Sequence, residues 1–421
     1  MAAEVPGRSA RWPGWDEGFP ARVRRVMAES GARPPTDGVP AASPLCVRSG
    51  RREPLERLVA AYHRLIETVV AVYPQDERLR EVLAWPAALR PEEFAGEAIA
   101  AGRVHVMRLD TMPQPDGGLK VLETNANCPG GMGVGGLAAR WRPLLTTGGL
   151  RLPPPLPGEA PHWVGRWLVE AAEQETGRRP DVVALLRPEG GHRTEFSRYL
   201  AALAGLGVRV VEADPREVRL AGDRVLVRGE AVRCAYAKIG MRDFARLRPE
   251  LEPYVRAVRS GALFVQNGLH GRLIGDNKLC LAVLSDPRYA DLFDPADLAL
   301  VRGSIPWSRN LAACDAATVR LIRARPGDYV LKRPLDTRGR GVVVGLESRD
   351  WATAVDAGLA GRWLVQSYCP APVMRSPDGA LLRHDLVLAA VNGRLAVAAS
   401  RAAGGERLNI ARGGLAHPVY L

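Results

Sequence analysis

Lysine is the residue this chain most lacks. Of 58 basic residues in 421, only Lys120, Lys238, Lys278 and Lys332 are lysine. With Ala, Gly, Pro and Val abundant, this suggests a coding bias toward G and C that turns Lys into Arg wherever either serves. The exchange fails where a compact ammonium on a flexible stem must act as a point charge on a phosphate. The surviving lysines are therefore enriched for function. Asparagine is scarce too, at seven residues, and Asn125 and Asn127 share one short motif.

Other absences close off whole classes. The six cysteines (46, 128, 234, 280, 314 and 369) stand singly with no CxxC pair. That argues against a cysteine-based zinc site and predicts reduced thiols. No stretch approaches the roughly 20 apolar residues of a membrane helix, and the N-terminal segment lacks the apolar run of a secretory signal. A cytoplasmic protein with no membrane partner is expected. Runs of basic residues with interleaved aromatics are missing, so a net charge of +12 does not predict a nucleic-acid partner. A positive field suits an anionic ligand such as a nucleotide. No internal repeat is evident, and the length predicts two or three domains.

Residues 53–84 carry apolar positions at helical spacing, with Pro74 as a break. Two strand patterns, 104–110 and 119–125, flank a turn containing Asp116, Gly117 and Gly118 and predict a hairpin. Residues 128–136 are too glycine-rich for a regular element. The proline-rich stretch 149–160 is the best domain boundary. Beyond it, helices over 162–176 and 196–207 alternate with strands over 181–187 and 208–214, the two strands expected to be parallel. Strands near 224–228 and 232–239 complete that unit. A helix over 276–285 follows, then strands over 328–333, 341–346 and 362–368, and a hairpin around Asn392-Gly393.

The first hairpin is a candidate metal site. Residues i and i+2 of a strand share a face, so Arg108 points with Asp110, and Glu123 with Asn125. Two carboxylates and an amide oxygen are hard ligands suited to Mg²⁺, and Arg108 can neutralise a transferring phosphoryl group. An exposed hairpin end with ordinary charges remains the alternative.

The motif Arg108-Leu-Asp110, then Glu123-Thr-Asn125 with Pro129 close behind, resembles the magnesium signature of the ATP-grasp family. In most of that family the signature follows the ATP lysines, whereas here it comes first. That order is similar to the circularly permuted branch typified by the synthetase domain of glutathionylspermidine synthetase. The resemblance covers roughly residues 60–420. It implies that Asp110, Glu123 and Asn125 hold two Mg²⁺ ions and that Arg108 steadies the transferred phosphate. Lys278, in Gly275-Asp-Asn-Lys278-Leu-Cys, resembles the first ATP lysine. Lys332 at the end of Tyr329-Val-Leu-Lys332 resembles the strand lysine, with Arg338, Gly339 and Gly341 in the phosphate loop. Gln366 resembles the adenine-reading residue of the hinge strand, beside Leu364 or Val365. Arg383, Asp385, Arg401, Asn409 and Arg412-Gly-Gly414 follow the permuted pattern, with Arg401 the candidate phosphate or acyl-phosphate contact. A Cys-dependent amidase like that of the bifunctional relative is not expected, Cys128 has no neighbouring His in sequence, and Arg338 and Arg340 stand where relatives also carry acidic or small residues.

The resemblance implies a mixed α+β and α/β architecture, a permuted ATP-grasp core with an α/β subdomain. Residues 1–150 would carry the N-terminal helices and the metal hairpin, 160–265 the substrate-side subdomain, and 270–421 the ATP-binding subdomains. The activity implied is carboxylate–amine ligation through an acyl phosphate with ADP release, on amino acids or small peptides. Arg187, His192, Arg193 and Glu195, past the strand over 181–187, are placed to meet a carboxylate or amine. An ATP-binding regulatory or scaffold module without turnover, and a kinase of the same fold, remain open.

Overall fold

The computed structural model describes residues 18–30, 45–47, 50–85, 89, 102–189, 194–337, 339–375, 381–406, 408, 410 and 414–421. The expectations for His192, Arg193, Arg338, Asn409, Arg412 and Gly413 lie outside these. The chain is a mixed α+β protein with several sheets. Its largest sheet runs in the order Leu45–Cys46, Leu415–Tyr420, Arg394–Ala403, Leu386–Val391, Val106–Pro113, Leu119–Asn125, and Val373–Arg375 and Leu381–His384 extend it from Arg394–Ala403. The first hairpin, from the N-terminal part of the chain, thus pairs directly with Leu386–Val391 from the C-terminal part.

Successive residues of these strands point to opposite faces of the sheet, and each face carries buried apolar residues. Met107, Leu109, Leu386 and Leu388 pack on one face against helix Arg52–Val72. That helix buries Leu55, Leu58, Val59, Tyr62, Leu65, Ile66, Val69 and Val70, a 3.6-residue stripe. It ends just before Pro74, and Asp76 caps the next helix, Glu77–Val82, by accepting from the Leu79 amide at 3.0 Å. Val106, Val387 and Ala389 face the other way, toward helices Trp163–Thr176 and Thr194–Gly205.

Those helices cover a four-stranded parallel sheet ordered Phe264–Val265, Cys234–Ala237, Val182–Leu186, Arg209–Ala213. A small antiparallel sheet, Ser308–Asn310, Leu364–Ser367, Tyr329–Lys332, Val342–Val344, completes the cavity-forming parts. In the late hairpin Asn392 (φ 47°) and Gly393 (φ 73°) both take left-handed conformations, the turn expected of an Asn-Gly pair.

Two expectations are corrected. The glycine-rich segment is partly helical, because helix Val134–Thr147 begins inside it. Gly135 is needed there for packing. A Cβ on it would fall 2.2 Å from the Gly158 carbonyl oxygen. Gly135→Ala is expected to lower stability by about 1–3 kcal/mol through overpacking, read by chemical denaturation. The helix expected over 276–285 starts only at Cys280. Ahead of it, the Asp276 carboxylate accepts from the Ala126 and Asn127 amides, the Asn277 side chain accepts from the Leu279 amide, and the Lys278 amide donates to Pro334. Tertiary bonds have replaced the first helical turn.

Candidate active site

In the first hairpin Asp110 lies opposite Glu123, and Arg108 opposite Asn125. The register then slips, with Thr111 opposite Val121, so Leu122 is an extra residue. This bulge reverses the alternation within one strand. Leu119, Val121 and Thr124 turn to the core side, where Thr124 shares a 2.6 Å hydrogen bond with Tyr62, while Glu123 and Asn125 face the opposite side. The bulge also frees the Leu122 carbonyl, which accepts from Lys332 Nζ at 2.8 Å.

Charged groups close around the hairpin. Arg108 donates to both oxygens of Asp110, at 2.7 and 3.0 Å, and to the Gly130 carbonyl at 2.8 Å. Arg401 lies 3.0 Å from Asp110 and donates to Asp385 at 2.5 and 2.8 Å. Burial works against the Asp110 charge, but Arg108 and Arg401 outweigh it and hold its pKa down at about 2. Burial pushes Asp385 up, opposed by Arg401.

Lys278 is buried, 3.0 Å from Glu123, and donates to the Asp336 carbonyl at 2.6 Å, tying the hairpin to the glycine loop. Burial pulls its pKa down, yet Glu123 and Asp276 keep it above the ordinary value. Lys332 donates to Gln366 Oε1 at 2.7 Å, and burial lowers it to about 8. Gln366 in turn donates to Ser308 Oγ at 3.0 Å. The amide expected to read adenine is thus engaged in holding Lys332.

Arg108, Asp110, Glu123, Asn125, Lys332, Gly339, Gln366 and Arg401 all line one cavity of about 1090 Å³. Lys278 sits just behind Glu123. Gly341 (φ 65°) is off the lining, where a Cβ would meet the Arg333 side chain at 2.7 Å. Arg340 pairs with Asp336 inside the loop at 3.4 Å. Arg187 and Glu195 line the same cavity, and Arg383 pairs with Glu406 at 2.7 Å. Burial raises the Cys128 thiol despite Lys238 nearby, so it is not a ready nucleophile.

The fold is similar to that of a glutathione synthetase-like effector from Globodera pallida. The TM-score is 0.60 at 14% identity, over 96% of each chain. A Methylobacillus flagellatus protein provisionally assigned as a γ-glutamylcysteine synthetase aligns at a TM-score of 0.41 and 13% identity, over 84% of this chain and 85% of that one. At such identities the likeness is one of fold. No protein-family model matches the sequence, and no curated protein matches it significantly.

Two residues entered the sequence reading without a specific role, Asp385 as part of the permuted pattern and Lys238 as one of four lysines. Asp385 accepts from Arg401, and Lys238 pairs with Glu195. The scarcity of lysine singles out Lys238 as strongly as Lys278 and Lys332, but no motif surrounds it.

The donors suit magnesium in a particular way. Among the described residues no three His, Cys, Asp or Glu side chains gather as a metal site. An ion here would draw on Asp110, Glu123, the Asn125 amide and substrate phosphates. Asn125 has a buried amide nitrogen without a partner among the described residues, a polar group left for a ligand. Asp110, Glu123 and Asp385 already face Arg108, Lys278, Lys332 and Arg401. With the cations in excess, a divalent ion is accommodated together with a polyphosphate rather than alone.

Proposed function

We propose that the chain is an ATP-dependent carbon–nitrogen ligase. A substrate carboxylate oxygen attacks the γ-phosphorus of ATP and ADP leaves. An amine then opens the acyl phosphate, and inorganic phosphate departs. The observation that carries this reading is the meeting of the Asp110–Glu123 pair with Lys278 and Lys332 beside one cavity. Lys278, Lys332, Gln366 and the loop of Arg338, Gly339 and Gly341 would hold the nucleotide. Asp110, Glu123 and Asn125 would hold two Mg²⁺ ions, which neutralise phosphate charge when bound. Arg108 and Arg401 are held in place by Asp110 and Asp385, so they need little reorganisation to stabilise a transferring phosphoryl group.

Circular permutation is part of the proposal. The hairpin precedes both lysines in sequence yet lies beside Leu386–Val391, which supports a core assembled from residues 1–150 and 270–421 with 160–265 as the substrate-side unit. The likeness in fold to a glutathione synthetase-like effector fits amino acids or small peptides as substrates. No described helix is long and apolar enough to cross a membrane, and single reduced thiols fit a cytoplasmic location.

The test is a screen of amino-acid and peptide pairs for ADP and phosphate release. A requirement for both an acid and an amine is expected. A retained phosphorylated product would make the chain a kinase, and ATP binding without hydrolysis would make it a binding module. AMP and pyrophosphate as products would sink the acyl-phosphate route.

A further inference from the structure

On the far side of Arg108 the cavity wall comes from the parallel sheet. Lys238 follows strand Cys234–Ala237 and Arg187 follows Val182–Leu186, so both sit at strand C-terminal ends, where α/β sheets bind ligands. Glu195, in the first turn of Thr194–Gly205, pairs through Oε2 with Lys238, and the two side chains are only 13% and 18% exposed. Glu195 Oε1 is buried with no hydrogen-bond partner among the described residues. Close to Glu195, Tyr199 and Tyr236 stack at 4.2 Å, and Phe196 meets Tyr236 edge-on, giving the pair an apolar backing that strengthens its electrostatics.

The wall adjoins the hairpin site. A Cβ on Gly130 would lie 3.7 Å from Arg108 Nη1 and 4.0 Å from Glu195 Oε2. Arg198 is seated over Gly133, where a Cβ would fall 2.6 Å from its Cδ. Arg187, Arg198, Lys238, Arg242 and Arg246 line this part of the cavity, against the carboxylates of Glu195 and Asp243. Asp243 is engaged by Arg246 at 3.1 Å. A diamine would meet an excess of cations here, and a simple anion would leave Glu195 Oε1 unsatisfied. A zwitterion satisfies both.

We infer that this wall is the subsite for an amine that also carries a carboxylate, an amino acid or the amino end of a short peptide. Glu195 receives the ammonium group, Lys238 orients Glu195, and Arg198 with Arg242 and Arg246 receives the carboxylate. The inference rests on the ligase reading for the meaning of its ligand, but its binding can be tested apart from turnover.

The full chain, with Mg²⁺ and a non-hydrolysable ATP analogue, is titrated calorimetrically with L-amino acids and dipeptides, each beside its carboxamide and its decarboxylated amine. Zwitterions should bind at least about tenfold more tightly than either counterpart. Glu195→Gln should weaken them by on the order of 10–100-fold, the loss of one charged hydrogen bond. Arg198→Gln should erase the preference for acid over carboxamide. ATP-analogue affinity should hold in both variants, which checks their folding. Equal binding of the carboxamides, indifference to Glu195→Gln, or no zwitterion binding would each overturn the subsite. ADP release on the same panel separates the two readings. Zwitterion binding without ADP release sinks the ligase and keeps the subsite, whereas ADP release with carboxylate-free amines does the reverse.

Discussion

Glu123→Gln is expected to cut ADP formation by on the order of 10²–10³-fold, as removal of a single transition-state electrostatic group does elsewhere. Unfolding by heat should shift little. The side chain is 23% exposed and faces the cavity rather than the core, and Gln keeps an oxygen to accept from Lys278 at the present 3.0 Å. What is lost is charge, on which a hard cation and its phosphates depend. Turnover measured beside the melting curve decides the matter. Unchanged ADP formation would remove the hairpin from the chemistry.

Lys332→Met separates function from stability in the other direction. We expect ATP turnover near pH 7 to fall by on the order of 10²-fold, with folding free energy moving by no more than about 1 kcal/mol. Methionine strands the Leu122 carbonyl and Gln366 Oε1, but it also removes a buried charge, and the two effects oppose. The pH dependence has a definite sign. Burial lowers Lys332 from the ordinary 10.5 to about 8, so the cost of its charge is fully present below pH 8 and fades as pH rises toward the unfolded value. The wild type should therefore gain stability relative to Lys332→Met between about pH 8 and 10.5. Its ATP turnover should fall across the same range as the ammonium is lost. Parallel denaturation and ADP-release profiles measure both.

The periodic parts of this fold were legible from the chain. The stripe of Arg52–Val72, the parallel strands Val182–Leu186 and Arg209–Ala213, and the Asn392-Gly393 turn follow local rules, and each lies where those rules put it. Helix Val134–Thr147 was not legible. Gly135, Gly136 and Pro143 count locally as breakers, and only the close approach of the Gly158 backbone explains the first of them. The start of the helix after Lys278 failed for the same kind of reason, since the Asp276 carboxylate accepts from the Ala126 amide and the Asn277 side-chain amide donates to the Ala84 carbonyl, both far away in the chain.

At the site, spacing alone placed Glu123 with Asn125 and Arg108 with Asp110, because a strand repeats every two residues. The partners brought in from distant parts of the chain were out of reach of spacing. Arg401 on Asp110, Lys278 on Glu123 and Lys238 on Glu195 join residues far apart in the chain, and no local pattern encodes such pairs. Scarcity of lysine flagged Lys238, Lys278 and Lys332, without saying what they touch.

The slipped register at Leu122 makes the second hairpin strand a sentence whose phase changes midway. Its odd-numbered residues face the core before that point and the cavity after it, and the extra residue is the beat between them. Leu122 also lines the cavity, while its carbonyl holds Lys332 and its presence sets the register. Paired in strict alternation without the bulge, the same residues would turn Glu123 and Asn125 toward helix Arg52–Val72. Deleting residue 122 would keep their facing and instead remove the carbonyl that holds Lys332.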